Sequence, residues 1–275
     1  MISTSALTDS APWSPVIDTH AHLYVQDMPL VTGATFEPGY SFEVDDYFRI
    51  LDDEGVLFGV ITAPSFLGSY NDYTLEILRN HPRLRGTAIV EPSIDALGLR
   101  HLADHGIVGI RYSLRRYPAI PDFSQPEYQR LLRRIRDLDL YVHILAETER
   151  LAQLVPLLDK AGVKLVIDHF GVPEPRFGQN DPGRLAIQAA LQNGRTWVKL
   201  SAPYRTTGVD MKALARFYLA QAGAERMVWG SDCPWSSYEG TFNFRDTIRW
   251  FEEWIPEQSL REQIGRTGLR LNKFM

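Results

Sequence analysis

Eight short runs of apolar, often β-branched residues recur along the chain, each followed by a stretch whose apolar positions repeat at helical spacing, and this alternation narrows the fold more than any other feature. The runs cover residues 16–22, 56–62, 86–90, 107–111, 140–145, 163–168, 196–201 and 227–230. Strands apolar at nearly every position have to be covered on both faces, as they are in a parallel sheet wrapped by helices. Between and after them the spacing predicts helices over 41–54, with Ser41 as N-cap, around Leu75, Ile77 and Leu78, and over 95–104, 126–137, 148–161, 181–192, 211–222, 244–254 and 257–265. Eight such units in succession predict an α/β fold of the (β/α)8 TIM-barrel type. A doubly wound open sheet competes, but no glycine-rich phosphate fingerprint follows any of the strands. No linker interrupts the pattern, so one domain is expected over residues 1–275, with 1–15 as a flexible N-terminal extension.

The charge balance excludes several partners. A net charge of −5 lacks the basic excess that nucleic acid or an anionic membrane surface demands, which leaves small molecules as the expected partners and self-association into a homo-oligomer open. Cys233 is the single cysteine, so no internal disulfide can form, and neither a leader-like N-terminus nor a run long enough to span a membrane is present. A cytoplasmic location is expected.

In a barrel of this type, residues at the C-terminal ends of the strands face the active site. Here those ends carry His20 and His22, then Ser65, Glu91, Arg111, Asp168 with His169, Ser201, Arg205 and Asp232, while His143 lies within the fifth strand. Residues i and i+2 of a strand point to one side, so His20 and His22 present both imidazoles to one point. That arrangement suits a divalent metal or, without one, the polarisation of an oxyanion; an ordinary pair of loop histidines is the plain alternative. His143, between apolar neighbours, faces into the barrel either as a ligand or as a hydrogen-bonded core residue. Asp232 could ligate, activate water or cap a turn. Arg111 and Arg205 are costly to bury without an anion, and their forks match carboxylates; the competing reading is an internal ion pair with Glu91 or Asp168. His81, His101 and His105 fall on helix ends or connections, and Cys233, with no cationic neighbour in sequence, reads as a packing residue.

Taken together, Ile-Asp-Thr-His-Ala-His (17–22), Gly-Ile-Arg-Tyr (109–112), Leu-Val-Ile-Asp-His-Phe-Gly (165–171), Trp-Val-Lys-Leu-Ser-Ala-Pro-Tyr-Arg (197–205) and Trp-Gly-Ser-Asp-Cys-Pro-Trp (229–235) resemble the amidohydrolase superfamily. Within it, they are similar to the branch of 2-pyrone-4,6-dicarboxylate lactonase and the sugar and muconolactone lactonases. The resemblance implies a hydrolase in which His20, His22 and His169 face the substrate, Asp232 is the general acid/base, and Arg111, Arg205 and Ser65 contact a carboxylated substrate. It departs from the family in the loop after strand four, where Arg115, Arg116 and Tyr117 stand, and at Val172, where a basic residue is usual.

The family works either without a metal or with a divalent cation, zinc foremost, and this second case would use His20, His22, His143 and Asp232. The resemblance is strongest to the metal-free lactonase, and no lysine stands at strand four to bridge a metal pair, so it implies a reaction with no obligatory metal. The expected activity is therefore opening of a carboxylate-bearing lactone by water. A zinc-dependent non-oxidative decarboxylase is the alternative enzyme, and a non-catalytic binding protein on a barrel scaffold is the alternative of another kind.

Overall fold

A computed structural model of the protein describes residues 13–34, 36–115 and 120–275. Its eight strands, β1 (Ile17–Ala21), β2 (Phe58–Ile61), β3 (Leu84–Ala88), β4 (Ile107–Ser113), β5 (Tyr141–Leu145), β6 (Lys164–Ile167), β7 (Thr196–Leu200) and β8 (Met227–Trp229), form one sheet in sequence order. Every neighbouring pair is parallel. The helices α1 (Val44–Glu54), α2 (Asp72–Asn80), α3 (Ala96–Asp104), α4 (Pro126–Asp137), α5 (Thr148–Lys160), α6 (Pro182–Leu191), α7 (Met211–Ala222) and α8 (Phe244–Trp254) follow the strands, and α9 (Gln258–Leu271) ends the chain. This is the (β/α)8 barrel expected of the alternation.

Between β8 and β1 the backbone ladder is reduced to a single bridge, Ala21 with Cys233, and side chains close the seam. Thr19 Oγ1 donates to the Trp229 carbonyl at 2.7 Å. The buried Asp18 carboxylate accepts from Ser231 N at 2.8 Å, Ser231 Oγ at 2.6 Å and Tyr47 Oη at 3.0 Å. Burial pushes the Asp18 carboxyl up to about 6 against these hydrogen bonds, which favour its charged form.

Inside the barrel, alternation along the strands stacks the side chains in layers. Val108, Tyr141, Val166, Trp197 and Val228 form an apolar floor, closed from below by Leu271 of α9. Gly109 makes room for the Tyr141 ring, since a Cβ there would come within 2.1 Å of it. Two residues beyond Gly109, Tyr141 and Trp197 come Arg111 on β4, His143 on β5 and Lys199 on β7, and beyond these Ser113, Leu145 and Ser201. Polar groups thus rest on an apolar base.

The structure differs from the expected elements at two helix ends. Ser41 does not cap α1: its hydroxyl accepts from Gln26 N at 2.9 Å, and the cap is Glu43, whose N–H is held by Asp46 at 3.2 Å. The last helix runs on past Gly265 to Leu271, because Gly265 and Gly268 serve close approach to β1 instead of termination. Added Cβ atoms would meet Val16 at 3.0 Å and Ile17 at 2.9 Å. Residues 1–12 of the expected N-terminal extension lie outside the described residues; Trp13 packs on Phe251 at 5.9 Å between centroids. No helix among the described residues is long and apolar enough to cross a membrane.

Candidate active site

At the C-terminal ends of the strands the loops enclose a cavity of about 370 Å³, lined among others by Ser65, Arg111, Arg115, His169, Arg205 and Asp232. Three residues just beyond consecutive strands, His169, Ala202 and Asp232, hold left-handed backbone with φ of 48°, 49° and 63°. Non-glycine residues adopt this conformation at a cost of about 1–3 kcal/mol each, and they persist where the surroundings over-determine them, as at working sites.

Four ring and carboxylate atoms converge at the cavity floor. Asp232 Oδ1 lies 3.4 Å from His20 Nε2, 3.5 Å from His22 Nε2 and 3.8 Å from His169 Nε2. The two strand-one imidazoles approach each other with Nε2 atoms 3.2 Å apart. His22 Nδ1 faces the Thr62 carbonyl at 2.8 Å; a carbonyl only accepts, so this nitrogen carries the hydrogen and Nε2 presents its lone pair. His169 Nδ1 is paired with Ser201 Oγ at 2.8 Å. Burial is the main cause that pulls His169 down to about 4 and His22 below its ordinary value, against the Asp232 carboxylate.

The other oxygen of Asp232 is anchored. Oδ2 accepts from Arg205 Nε at 2.7 Å and from Tyr204 Oη at 2.5 Å, while Oδ1 has no hydrogen-bond partner. Burial acts to raise this carboxyl, but the Arg205 guanidinium, followed by His169, outweighs it and holds Asp232 well below the usual carboxylate range. Asp232 is therefore ionised and has one oxygen left for chemistry.

One layer deeper sits a second charged cluster. Asp168 Oδ1 meets Lys199 Nζ at 3.2 Å, His20 Nδ1 at 3.2 Å and His143 Nε2 in a short contact, and Asp168 Oδ2 meets Arg111 Nη2 at 3.4 Å. Arg111 Nη1 donates to the Ala63 carbonyl at 2.5 Å, and its Nε has no hydrogen-bond partner. Lys199, 2% exposed, also reaches His143 Nε2 at 2.9 Å and His20 Nδ1 at 3.1 Å. Burial lowers His143 to about 3, against Asp168.

Among the described residues, a divalent cation fits at one place. A tetrahedral ion with bonds of about 2.0–2.2 Å sets its ligand atoms roughly 3.3–3.6 Å apart. The three edges of the His20, His22 and Asp232 group are 3.2, 3.4 and 3.5 Å, and the group includes the unpartnered Asp232 Oδ1. The second group of this kind, His20, Asp168 and His169, shares its carboxylate with Lys199 and Arg111, which disfavours a cation there.

A model of the amidohydrolase family matches residues 17–267. The chain belongs to the amidohydrolase family. This amidohydrolase is similar to the 4-sulfomuconolactone hydrolase of Rhizobium radiobacter, at 24% identity over 257 residues, 90% of this chain and 86% of the relative. It is 23% identical over 258 residues to the 2-pyrone-4,6-dicarboxylate hydrolase of Comamonas testosteroni, covering 92% and 80% of the two chains. Among solved structures it matches a probable 2-pyrone-4,6-dicarboxylic acid hydrolase from Acinetobacter baumannii with citric acid bound, with a TM-score of 0.89 at 28% identity over 95% of this chain and 100% of the other. The protein is an enzyme with lactone-hydrolase relatives.

Of the residues singled out in the sequence, the amidohydrolase barrel brings His20, His22, His169 and Asp232 into contact and sets Arg111, Arg205 and Ser65 on the cavity wall. It does not bring His143 to the group of His20, His22 and Asp232 that could hold a metal. That side chain lies one layer down, its Nε2 taken by Asp168 and Lys199 and its Nδ1 without a partner. The ion pair weighed for Arg111 goes to Asp168, whereas Arg205 pairs with Asp232 and Glu91 pairs with neither arginine. Arg115 lines the cavity; Arg116 and Tyr117 lie outside the described residues. His81, His101 and His105 are remote from it: His81 packs on Phe48, and the other two stack on each other at 4.2 Å.

Two contributors escaped the sequence reading. Lys199 stands within an apolar strand, two positions from the inward Trp197, and that misplaced charge was the available signal. Tyr204 had none, since its value lies in its reach to Asp232.

Proposed function

We propose that this amidohydrolase opens the ring of a carboxylated lactone by attack of water on the ester carbonyl. The observation that carries the reading is the divided Asp232 carboxylate, with Oδ2 locked by Arg205 and Tyr204 and Oδ1 turned, unpartnered, toward three imidazoles on the cavity floor. Asp232 Oδ1 removes a proton from water as the water oxygen bonds to the carbonyl carbon. The carbonyl oxygen gains the negative charge beside His20 and His169, whose buried rings need no reorganisation to receive it, while His22, bare at Nε2, supports His20 as an acceptor. The tetrahedral adduct then collapses, the ring carbon–oxygen bond breaks, and Asp232 returns the proton to the leaving oxygen. Arg111 and Arg205 orient the substrate through its carboxylates, converting binding energy into alignment. The citric acid held by the Acinetobacter relative is a polycarboxylate of the kind such a wall would take.

A divalent cation, zinc foremost, would be held by His20, His22 and Asp232, and its chemistry there is Lewis-acid polarisation of the carbonyl. Candidate substrates are 2-pyrone-4,6-dicarboxylate, muconolactones and sugar-acid lactones. Assaying the purified chain against these in a pH-stat, with and without zinc or manganese, tests the reading: acid release stoichiometric with ring opening is expected. Failure on all carboxylated lactones, together with carbon dioxide release from hydroxybenzoates, would replace it with the decarboxylase reading.

A further inference from the structure

The groups on either side of His20 determine which of its nitrogens carries the hydrogen. On the cavity side, His20 Nε2 faces His22 Nε2 at 3.2 Å and Asp232 Oδ1 at 3.4 Å. The first is a lone pair, because His22 gives its only hydrogen to the Thr62 carbonyl at 2.8 Å, and the second is a carboxylate oxygen with no other partner. Three electron-rich atoms at this spacing require something positive between them, either a hydrogen on His20 Nε2 or a cation.

On the buried side, Lys199 is sealed from water at 2% exposure and has three hydrogens to place. Its neighbours within reach are Asp168 Oδ1 at 3.2 Å, His143 Nε2 at 2.9 Å and His20 Nδ1 at 3.1 Å. Because His143 Nε2 also contacts the Asp168 carboxylate, acceptors for the ammonium are scarce, and a hydrogen on His20 Nδ1 would remove one more and leave a further buried charged N–H unsatisfied.

We propose that Lys199 is a positioning residue that donates to His20 Nδ1, holds His20 as the Nε2–H tautomer, and so makes it a hydrogen-bond donor to the carbonyl oxygen and a poor metal ligand. In an ordinary metal site the remote imidazole nitrogen donates to a carboxylate or carbonyl, as His22 does to Thr62. At His20 that role would fall to Asp168, 3.2 Å away, but the ammonium occupies the same nitrogen. Lys199 thus tilts the site from holding a cation toward holding a proton. The inference rests on the lactonase reading for the identity of the oxygen that His20 contacts, but the tautomer and the metal affinity are measured without substrate.

Two-bond 1H–15N spectra of the chelator-treated protein, with His20 assigned by the signals lost in His20→Asn, report its tautomer directly. A hydrogen on Nε2 and a bare Nδ1 are expected; the reverse overturns the proposal, and this measurement requires no variant of Lys199 to fold. In Lys199→Met the methionine has no hydrogen to donate, so His20 Nδ1 is free to donate to Asp168 when a cation takes Nε2. Zinc affinity, measured by competition with a chromophoric chelator, should then tighten by roughly tenfold or more, the scale on which such supporting contacts tune metal sites. An unchanged or weaker zinc affinity in a folded Lys199→Met protein would also overturn it.

Discussion

Arg205 Nε lies 2.7 Å from Oδ2 of Asp232, so the cation expected to grip substrate is, in the free enzyme, bonded to the proposed base. Tyr204 Oη adds a second donor to the same oxygen at 2.5 Å. Together they orient the carboxylate and leave Oδ1 to the imidazoles. Asp232→Asn keeps an acceptor for Arg205 and Tyr204 but removes the base. It should lower kcat by about 10²–10⁴-fold with the thermal midpoint little changed. Turnover within about tenfold of the parent would remove Asp232 from the proposed role.

Arg205→Met should act on two observables. Loss of a charged hydrogen-bond partner for a substrate carboxylate is worth about 1.5–3 kcal/mol, so KM should rise by roughly ten- to a hundredfold. With the guanidinium gone, burial dominates and the Asp232 carboxyl climbs. The acidic limb of kcat/KM against pH should therefore move to higher pH. Steady-state kinetics across pH measure both effects, and an unmoved limb would show that Arg205 does not govern the charge of Asp232.

His169 is pulled down to about 4, chiefly by burial, with Asp232 opposing. Its ring resonance should titrate near pH 4, well below the ordinary imidazole value of about 6.5. For an imidazole depressed in the folded state, the unfolded chain takes up the proton first as pH falls. The contribution of His169 to stability is therefore complete above about pH 6.5 and is lost as pH falls toward 4, up to about 3 kcal/mol. Urea unfolding at successive pH values, comparing the parent with His169→Gln, reads this slope; equal slopes would contradict it.

Gly230, just beyond β8, has its backbone against His20, and a Cβ there would fall 2.6 Å from His20 Cβ and 2.9 Å from His20 N. Backbone cannot yield as a flexible side chain can, so Gly230→Ala must part the β8–β1 seam at His20. A cost of about 1–3 kcal/mol is expected. At roughly 2–4 °C per kcal/mol this is visible in a thermal melt, accompanied by a fall in kcat. An unaltered melt would contradict so close an approach of Gly230 to His20.

Strand and helix periodicity are local, and the sequence alone was sufficient for the barrel and for the list of polar residues that lie at the C-terminal ends of its strands, because a strand covered on both faces has to be apolar wherever it packs. It misplaced the end of α9, since a glycine that stops a helix and one that lets a helix touch a strand look alike until the strand is in place. Tertiary structure alone decided the pairings within the site. Lys199 meets His20 across 179 residues of chain, and Arg205 meets Asp232 across 27. Which layer His143 occupies, and which oxygen of Asp232 is left unpartnered, follow from the stagger of eight strands around a closed sheet. No stretch of the chain encodes that stagger by itself.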